Sequence, residues 1–507
     1  MALAGAAVMT KTTRSQVLVL GWAEIDKTPF SERQLQVERI DVSQLDQARL
    51  SRACAVLVAD FPGKFGVLNA YLGGPFALAA SLGVRTAIQV RDADIGRAAS
   101  LREATFKRFG AKGELALSWV MIGFDEVGVA ETIARYDPGP PLGQASVVLV
   151  GGAALEPATR TLLQRSFEDC SEIVIEPLRG GKTAKQTFRV YAKLREASLQ
   201  PMPFFFKQGT PEDIRDERLR YRNIAEPFIP FHLRPALNEA RSVTTLTDAV
   251  LVSNFVEGGM PMRDAMRHGH GRNAIFSLFE VTLRGIRSHA AQSAKSAELL
   301  RSFIKERVRA KEIAQNHPAR IRVARKFGLK TDPVTLEGHL AAAANNEDIR
   351  RGYYHGDMHA GNVLVRHGDS IVIDFGSMTF GPLTADPAIL EISLAFGTDE
   401  ADRPDAFGEW RSLVDELFRG QAFLMPPVVT SEHGHFSWLR KAVRELRHVV
   451  NSCGSTPKER ALVLAACLLR FARLSPDDLP SRQMRRLSEA RRSYALAIAE
   501  DLYSNLS

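Results

Sequence analysis

Three polar side chains in one short segment have the types and the spacing that phosphoryl transfer requires. The motif HGD ends at Asp357, Asn362 follows five residues later, and the motif DFG begins at Asp374. Between Asn362 and the end of DFG, the runs VLV (363–365) and SIVID (370–374) predict the two strands of a hairpin. Such a hairpin would bring two carboxylates and one carboxamide together at one mouth.

Each of these side chains suits a separate task in phosphoryl transfer. One carboxylate orients the attacking hydroxyl and accepts its proton, and a carboxamide with a second carboxylate holds the magnesium ions that bridge the phosphates. Asp357 fits the first task, and Asn362 and Asp374 fit the second. The alternative is that HGD is an ordinary turn and DFG the end of a strand. The two motifs occur together, at this spacing and with a hairpin between them, which favours the site.

Upstream residues add the elements that a nucleotide phosphate would need. A glycine-rich turn between two predicted strands lets backbone N–H groups approach phosphate oxygens, and it contains Gly180, Gly181, Lys182 and Thr183. Lys207 ends the apolar strand FFFK, and a lysine leaving a buried strand needs an anionic partner. Glu217, on the helix predicted at 211–226, is the expected partner, with Glu212 and Asp216 as alternatives.

A further strand, AVLVSNFV (249–256), leads into the sequence EGG and is predicted to end at a hinge. Backbone groups from Ser253 to Val256, including those of Phe255, are placed to hydrogen-bond the edge of an adenine ring. The sequence therefore contains candidates for both ends of a bound nucleotide.

The order of these motifs resembles the protein-kinase-like superfamily, in particular its aminoglycoside phosphotransferase and choline kinase branch. That branch has HGD-x-H-x-x-N where protein kinases have HRD. His359 and Gly361 fit its form HGDLHPGN, whereas Met358 and Ala360 depart from it. Closer still is the resemblance to the ternary-complex-associated kinase-like domain of bacterial signalling and conflict proteins. There, a GG turn, a strand-terminal lysine, an R-x-E helix and the pattern D-x-A-x-x-E recur, and residues 170–475 would be covered.

The resemblance implies ATP and Mg²⁺ as cofactors. It assigns Lys207 to the α- and β-phosphates, Glu217 to the positioning of Lys207, and Asp357 to the acceptor hydroxyl. Asn362 and Asp374 are implied as metal ligands. Structural roles are implied for three further residues, His355 in the loop and Asp386 and Glu391 as braces of nearby helices.

The sequence after DFG bears on the acceptor. The helix that contains DPAILE (386–391) follows within about a dozen residues, which leaves no room for the activation segment of a protein kinase. We therefore expect transfer of the γ-phosphoryl group to a hydroxyl of a small molecule. The alternative is a nucleotide-binding regulatory module with little or no transfer. The basic segment 301–330, with ten Lys and Arg against two Glu, is compatible with an anionic substrate or with a solvated helix pair. It does not favour a nucleic-acid partner.

Length and composition are those of a globular protein of two or three domains, with 507 residues, 45% hydrophobic residues and a net charge of +8. The four cysteines form no CxxC pair, and no apolar run reaches the length of a membrane helix, so a cytoplasmic protein without membrane contact is expected. The predicted organisation is a flexible terminus, a receiver-like (flavodoxin-like) α/β domain, and an α+β kinase-like domain with an N-lobe and a mainly helical C-lobe. The corresponding ranges are 1–14, 15–145, 146–260 and 261–507, with the catalytic loop at 353–380. The N-lobe strands from residue 171 onward are predicted to form an antiparallel sheet, and the run VVLVGGA (147–153) fits either domain.

The α/β domain is inferred from five short apolar runs, the last of them LSWVMIG (117–123), that alternate with helical segments such as 65–82 and 95–109. They end before the proline-rich stretch YDPGPPLGQ (136–144), which is predicted to be a linker. A phosphorylated receiver needs acidic residues after the first strand, an aspartate ending the third and a lysine after the fifth. Asp60 ends the third predicted strand, but Gly21 and Trp22 follow the first and no lysine follows the fifth. We therefore expect a receiver-like fold that is not phosphorylated and that serves as a sensor or binds a protein partner.

Overall fold

A computed structural model describes most of the chain. The described residues are 14–21, 23–59, 65–111, 116–123, 125–152, 154–178, 185–196, 203–291, 297–347, 349–429, 434–476 and 479–505. The predicted flexible terminus, apart from residue 14, the glycine-rich turn at 180–183 and Asp60 all lie outside the described residues. The chain divides into two compact units, of which the first comprises Met1–Arg218 and Ala236–Phe255 and the second Leu219–Pro235 and Val256–Ser507.

A five-stranded parallel sheet forms the N-terminal part of the first unit. Its strands are β1 Gln16–Leu20, β2 Gln36–Arg39, β3 Ala53–Val58, β4 Arg85–Gln89 and β5 Val120–Gly123. The strand order is β2-β1-β3-β4-β5, which is the order of flavodoxin-like doubly wound sheets. Strand β3 is buried along its whole length, and apolar cores lie on both faces of the sheet, as expected for a parallel sheet covered by helices. The flanking helices are Thr28–Ser31, Gln47–Arg52, Gly66–Gly73, Pro75–Ser81, Ile95–Phe109 and Glu126–Ala134.

Two local predictions in this sheet need correction. The apolar stretch 65–82 predicts one helix, but the structure has two, which meet at Gly74. Pro75 is the physical reason, because a proline inside a helix removes a backbone donor and clashes with the preceding turn, whereas it is tolerated at a helix start. The predicted fifth strand, 117–123, is shorter, since only Val120–Gly123 pairs with β4.

A second five-stranded sheet follows in the same unit. Its strands are β6 Ser146–Leu149, β7 Cys170–Pro177, β8 Gln186–Leu194, β9 Phe204–Gly209 and β10 Ala249–Asn254, in the order β10-β9-β8-β7-β6. The antiparallel arrangement predicted for β7 to β10 is present. Strand β6, which the sequence leaves unassigned to either domain, joins this sheet parallel to β7 through the crossover helix Pro157–Ser166. The other helices of this region are Pro211–Arg220, which continues as Tyr221–Ala225 and Glu226–Phe228.

Two arginine side chains, those of Arg14 and Arg165, hold the proline-rich stretch between the two sheets. Arg165, on the helix Pro157–Ser166, is fully buried and donates hydrogen bonds to the carbonyl oxygens of Pro138 at 2.8 Å and Pro140 at 3.2 Å. Burial lowers the pKa of Arg165 to about 9. Gly83, at φ +77°, lies so close that a Cβ there would be 2.3 Å from the Arg165 guanidinium. The segment expected to act as a linker is thus tied to the body of the unit, and the domain boundary near residue 145 stays a prediction.

The second unit is mainly helical, as predicted for the C-lobe. Its strands form one sheet in the order β11-β13-β14 and a separate β12-β15 pair, and they are β11 Met260–Pro261, β12 Arg351–Tyr354, β13 Val363–Arg366, β14 Asp369–Val372 and β15 Thr379–Pro382. The main helices are Met262–Arg267, Gly271–Phe276, Arg284–Ala291, Ala297–Val308, Ala310–Asn316, Pro318–Lys326, Pro333–Ala343, Ala385–Phe396, Phe407–Phe418, Ser437–Ser452, Pro457–Arg473 and Arg482–Ser504. Within the described ranges, no helix is both long and apolar enough to cross a membrane.

Candidate active site

The predicted hairpin carries two of the three candidate side chains at one end. Strands β13 and β14 are antiparallel, with Val363 opposite Val372, and the N–H of Ile373 donates to the carbonyl oxygen of Asn362 at 3.0 Å. Asn362 is therefore aligned with the residue before Asp374. The hairpin register thus brings the backbone of Asn362 to the residue that precedes Asp374.

The loop that carries Asp357 is tied to the same end of the hairpin. Asn362 donates from Nδ2 to the carbonyl oxygen of Asp357 at 2.9 Å. The buried His355 ring accepts from the N–H of Asp357 through Nδ1 at 3.3 Å, so its Nε2 is the atom that donates to the carbonyl oxygen of Ile373, 3.1 Å away. The structural role implied for His355 fits this bridge, which connects the HGD loop to the strand that leads into Asp374.

Asp386 holds the backbone of the HGD loop. Its two carboxylate oxygens accept the N–H groups of His355 at 2.7 Å and Gly356 at 3.1 Å. Burial raises the pKa of Asp386 above its usual range, and the two N–H donors oppose that shift. Gly356 itself adopts φ +81°, and a Cβ there would lie 2.2 Å from the carbonyl oxygen of Ser377. Only glycine fits this turn, which explains the central residue of HGD.

Replacing Asp386 with asparagine should destabilise the protein, because one of the two acceptor oxygens becomes an NH₂ group that faces a backbone N–H. We expect a loss of about 1–3 kcal/mol in the free energy of unfolding, the usual cost of leaving a buried polar group without its partner. Thermal unfolding measures the effect, with the exposed Asp405→Asn as the matched control, for which a change within ~0.5 kcal/mol is expected. Equal melting temperatures for Asp386→Asn and the wild type would show that the bond lost in this variant does not contribute to stability.

Asp374 adopts an uncommon backbone conformation, and its Oδ1 accepts from the N–H of Gly376 at 3.4 Å. It has φ 62°, in the left-handed region, which costs about 1–3 kcal/mol for a residue other than glycine and occurs mainly at functional sites. The next residue, Phe375, is buried and anchors the turn, with ring contacts to Tyr221 at 5.5 Å and to His355 at 5.8 Å. Arg220 donates to the carbonyl oxygen of Gly376. The surrounding packing therefore holds Asp374 in a conformation that its own backbone disfavours.

The first unit contains the predicted lysine–glutamate pair. Lys207 Nζ lies 2.9 Å from Glu217 Oε2, and the two side chains are only 6% and 9% exposed. Of the alternatives, Asp216 instead pairs with its neighbour Arg215. Strand β9 places Lys207 and the helix Pro211–Arg220 places Glu217, so the ion pair predicted from the sequence is present. The phosphate-binding role of Lys207 stays a prediction.

The structure places the predicted adenine-edge residues at the end of β10. Ser253 is buried and paired with Phe205 of β9, and the N–H of Phe255 donates to the carbonyl oxygen of Pro203 at 3.0 Å. The Phe255 N–H is therefore engaged within the protein rather than open to a nucleotide. The adenine-binding role of Ser253 and Phe255 stays a prediction, as does the phosphate-binding role of Gly180, Gly181, Lys182 and Thr183, which lie outside the described residues.

Two arginines that contact the HGD loop belong to none of the motifs found in the sequence. Arg470 donates from Nη2 to Asp357 Oδ1 at 2.7 Å, and Arg307 donates to the carbonyl oxygen of Gly356. Each is more than forty residues from the loop, on the helices Pro457–Arg473 and Ala297–Val308. The abundance of Arg and Leu in 459–474 is the one sequence signal near Arg470. His359, at 3.8 Å from Asp357 Oδ2, is half-exposed.

Comparison with solved structures finds aminoglycoside phosphotransferases at low similarity. A ternary complex of a thermostable mutant of APH(4)-Ia with AMP-PNP and hygromycin B is 12% identical, with 69% of this chain and 99% of that chain covered and a TM-score of 0.39. APH(3'')-Id from Streptomyces rimosus is 16% identical, with coverages of 57% and 97% and a TM-score of 0.30. An aminoglycoside-3'-phosphotransferase of type VIII is 17% identical, with coverages of 54% and 93% and a TM-score of 0.27.

No curated protein matches the chain. The model of the phosphotransferase enzyme family (APH) matches residues 176–421, a little under half of the sequence. The matched range includes the lysine–glutamate pair, the HGD loop and the DFG turn described above. The narrower resemblance to the ternary-complex-associated kinase-like domain stays a prediction. Residues 176–421 therefore match the phosphotransferase enzyme family (APH).

Proposed function

We propose that the protein transfers the γ-phosphoryl group of ATP to a hydroxyl group of a small molecule. The observation that carries the proposal is the joint placement of Asp357, Asn362 and Asp374 by one loop and one hairpin, through the bonds from Asn362 Nδ2 to Asp357 and from Ile373 to Asn362. These are the carboxylates and the carboxamide that phosphoryl transfer needs.

A small-molecule acceptor is supported by the residues that follow DFG. Strand β15, Thr379–Pro382, pairs along its length with β12, and the helix Ala385–Phe396 begins eleven residues after Asp374. The residues between DFG and this helix therefore pack within the unit, as part of the pair of strands β12 and β15. They leave no long segment of the kind that protein kinases use to receive a polypeptide substrate.

The side chains of Asn362 and Asp374 fit Mg²⁺, which prefers oxygen ligands and usually takes one or two from the protein and the rest from phosphates and water. Asn362 uses its Nδ2 for the bond to Asp357, which leaves Oδ1 as the atom for a metal. Among the described residues, no group of three or more His, Cys, Asp or Glu side chains is arranged to hold a metal, so the nucleotide would supply the remaining ligands. When bound, Mg²⁺ neutralises charge on the β- and γ-phosphates.

Asp357 is the proposed general base. Its Oδ1 accepts from Arg470, which orients the carboxylate, and its side chain is 32% exposed, so Oδ2 is the atom assigned to the acceptor hydroxyl and its proton. Lys207 is assigned to the α- and β-phosphate oxygens, and Glu217 holds its ammonium group in place. The pair is almost fully buried, with side chains 6% and 9% exposed.

Mg-ATP should raise the melting temperature of the full-length protein. A ligand present at 100 times its dissociation constant stabilises the folded state by ~2.7 kcal/mol. Thermal unfolding is measured with Mg-ATP, with ATP and EDTA, and with Mg²⁺ alone, and ATP consumption is followed in parallel with a metabolite extract as acceptor. We expect the largest shift with Mg-ATP. No shift at millimolar Mg-ATP would exclude both the phosphotransferase and a nucleotide-binding module.

A further inference from the structure

Four arginines form a cluster at the HGD loop, and they are named the arginine cluster below: Arg307, Arg309, Arg470 and Arg473. Two of them meet at one atom, because Arg307 and Arg470 both donate to the carbonyl oxygen of Gly356, Arg470 at 3.5 Å. Arg470 also holds Asp357 at 2.7 Å. One member of the cluster, Arg470, therefore contacts the proposed general base directly.

The other two arginines share a second carboxylate. Glu312 lies 3.2 Å from Arg473 Nη1 and 3.6 Å from Arg309 Nη1. Arg470 and Arg473 are three residues apart on one helix, so they are neighbours on one face, separated by ~4.5 Å along the axis. Arg309 is 61% exposed, which makes this end of the cluster accessible from solvent.

The cluster has an excess of positive charge. Among the described residues, three of the four guanidiniums contact two carboxylates, Arg470 that of Asp357 and Arg309 and Arg473 that of Glu312. Arg307 donates to the carbonyl oxygen of Gly356. Asp386 is close by but uses both oxygens on backbone N–H groups. Burial first, and neighbouring guanidiniums second, lower the pKa of Arg470 below its usual range. For Arg473, burial and the other arginines lower the pKa, and Glu312 opposes that shift.

Spare donors are available for a ligand. A guanidinium has five N–H donors, and Arg473 uses one, on Glu312, among the described contacts. Its planar fork matches the geometry of a phosphate or a carboxylate, and such charge-assisted bonds are stronger than neutral ones. An acceptor that carries several amino groups would instead meet repulsion from the cluster.

We propose that the arginine cluster binds an anionic group, a phosphate or a carboxylate, on the acceptor molecule and so directs the acceptor's hydroxyl to Asp357. The inference rests on the proposed function of Asp357 as general base. It narrows the acceptor to a small hydroxyl compound with an oxyanion group about one helical turn from the reacting oxygen. Of the basic segment 301–330, Arg307 and Arg309 belong to the arginine cluster, whereas the buried Arg320 pairs with Glu489.

The first test is binding of inorganic phosphate to the full chain, measured by calorimetry with Mg-AMP-PNP already present. Arg473→Gln and Arg309→Gln should each weaken phosphate binding about 10- to 100-fold, the range for loss of a hydrogen bond to a charged group. Arg325→Gln, exposed on the helix Pro318–Lys326, is the matched control and should bind as the wild type does. Absence of phosphate binding, or equal binding by all four proteins, overturns the proposal.

The second test is turnover of Mg-ATP with four sets of acceptors, namely sugar phosphates, sugar acids, neutral sugars and hygromycin B. Turnover confined to the first or the second set supports the proposal and identifies which oxyanion is used, and Arg309→Gln should then raise KM more than it lowers kcat. Preference for neutral sugars or hygromycin B overturns the proposal while leaving the phosphotransferase intact. If the proposed function is wrong, Mg-AMP-PNP does not bind to the protein. The phosphate titration then still tests the arginine cluster by itself.

Discussion

Asp374→Ala should abolish detectable Mg²⁺-dependent binding of ATP and reduce turnover by roughly 10³-fold or more, since a metal ion contributes several kcal/mol to the stabilisation of charge in the transition state. The expectation follows from the position of Asp374. Asp374 directly follows Ile373, whose N–H donates to the carbonyl oxygen of Asn362. The packed ring of Phe375 keeps the left-handed turn at Asp374 in place. Alanine removes the main carboxylate ligand for Mg²⁺ and leaves the carboxamide as the remaining protein ligand.

The measurement is calorimetric titration with ATP, with and without Mg²⁺, together with ATP consumption. Asp369→Ala is the matched control, because Asp369 is an exposed aspartate at the turn of the same hairpin and should behave as the wild type does. A melting temperature close to that of the wild type separates loss of metal from loss of folding. If Asp374→Ala binds Mg-ATP as tightly as Asp369→Ala does, Asp374 is not the metal ligand.

Asp357→Asn should reduce turnover by ~10²–10⁴-fold, the usual contribution of a general base, and leave the affinity for Mg-ATP unchanged. The physical reason is that the proposed partner of Asp357 is the acceptor hydroxyl and not the nucleotide. Asparagine keeps the shape of the side chain and an oxygen for the bond from Arg470, but it cannot accept the proton.

The Asp357→Asn experiment also separates the enzyme from a regulatory module. Turnover and ATP affinity are measured on the same preparations, and the melting temperature reports any effect of losing the ion pair with Arg470. Lower turnover with unchanged affinity supports the phosphotransferase. Equal turnover in the wild type and Asp357→Asn, with equal affinity, removes the enzymatic function and leaves a nucleotide-binding module as the explanation of an effect of Mg-ATP on stability.

Much of the fold and of the site could be predicted because the signals are local. The apolar runs of β1 and β3 mark strands buried on both faces, and the helix Ile95–Phe109 has the bounds that its periodicity predicts. The pair Lys207 and Glu217 follows from one rule, that a lysine on a buried strand needs an anionic partner, and from the helix that begins shortly after that strand. The HGD and DFG spacing likewise places Asn362 beside the residue preceding Asp374, because a hairpin aligns residues on either side of a short turn.

Tertiary structure alone decided the contacts that join distant segments. The sequence by itself determined the motif residues and the strands around them, which depend on near neighbours in the chain, and the resemblance to a kinase-like domain, which depends on the order of the motifs. It did not determine that Arg470 and Arg307 meet at the HGD loop, or that Arg165 holds the proline-rich stretch. An arginine on a helix has the same local pattern whether its guanidinium faces solvent or a loop more than a hundred residues away. Which of the two occurs depends on how helices pack, and this packing selects the partners of each buried charge.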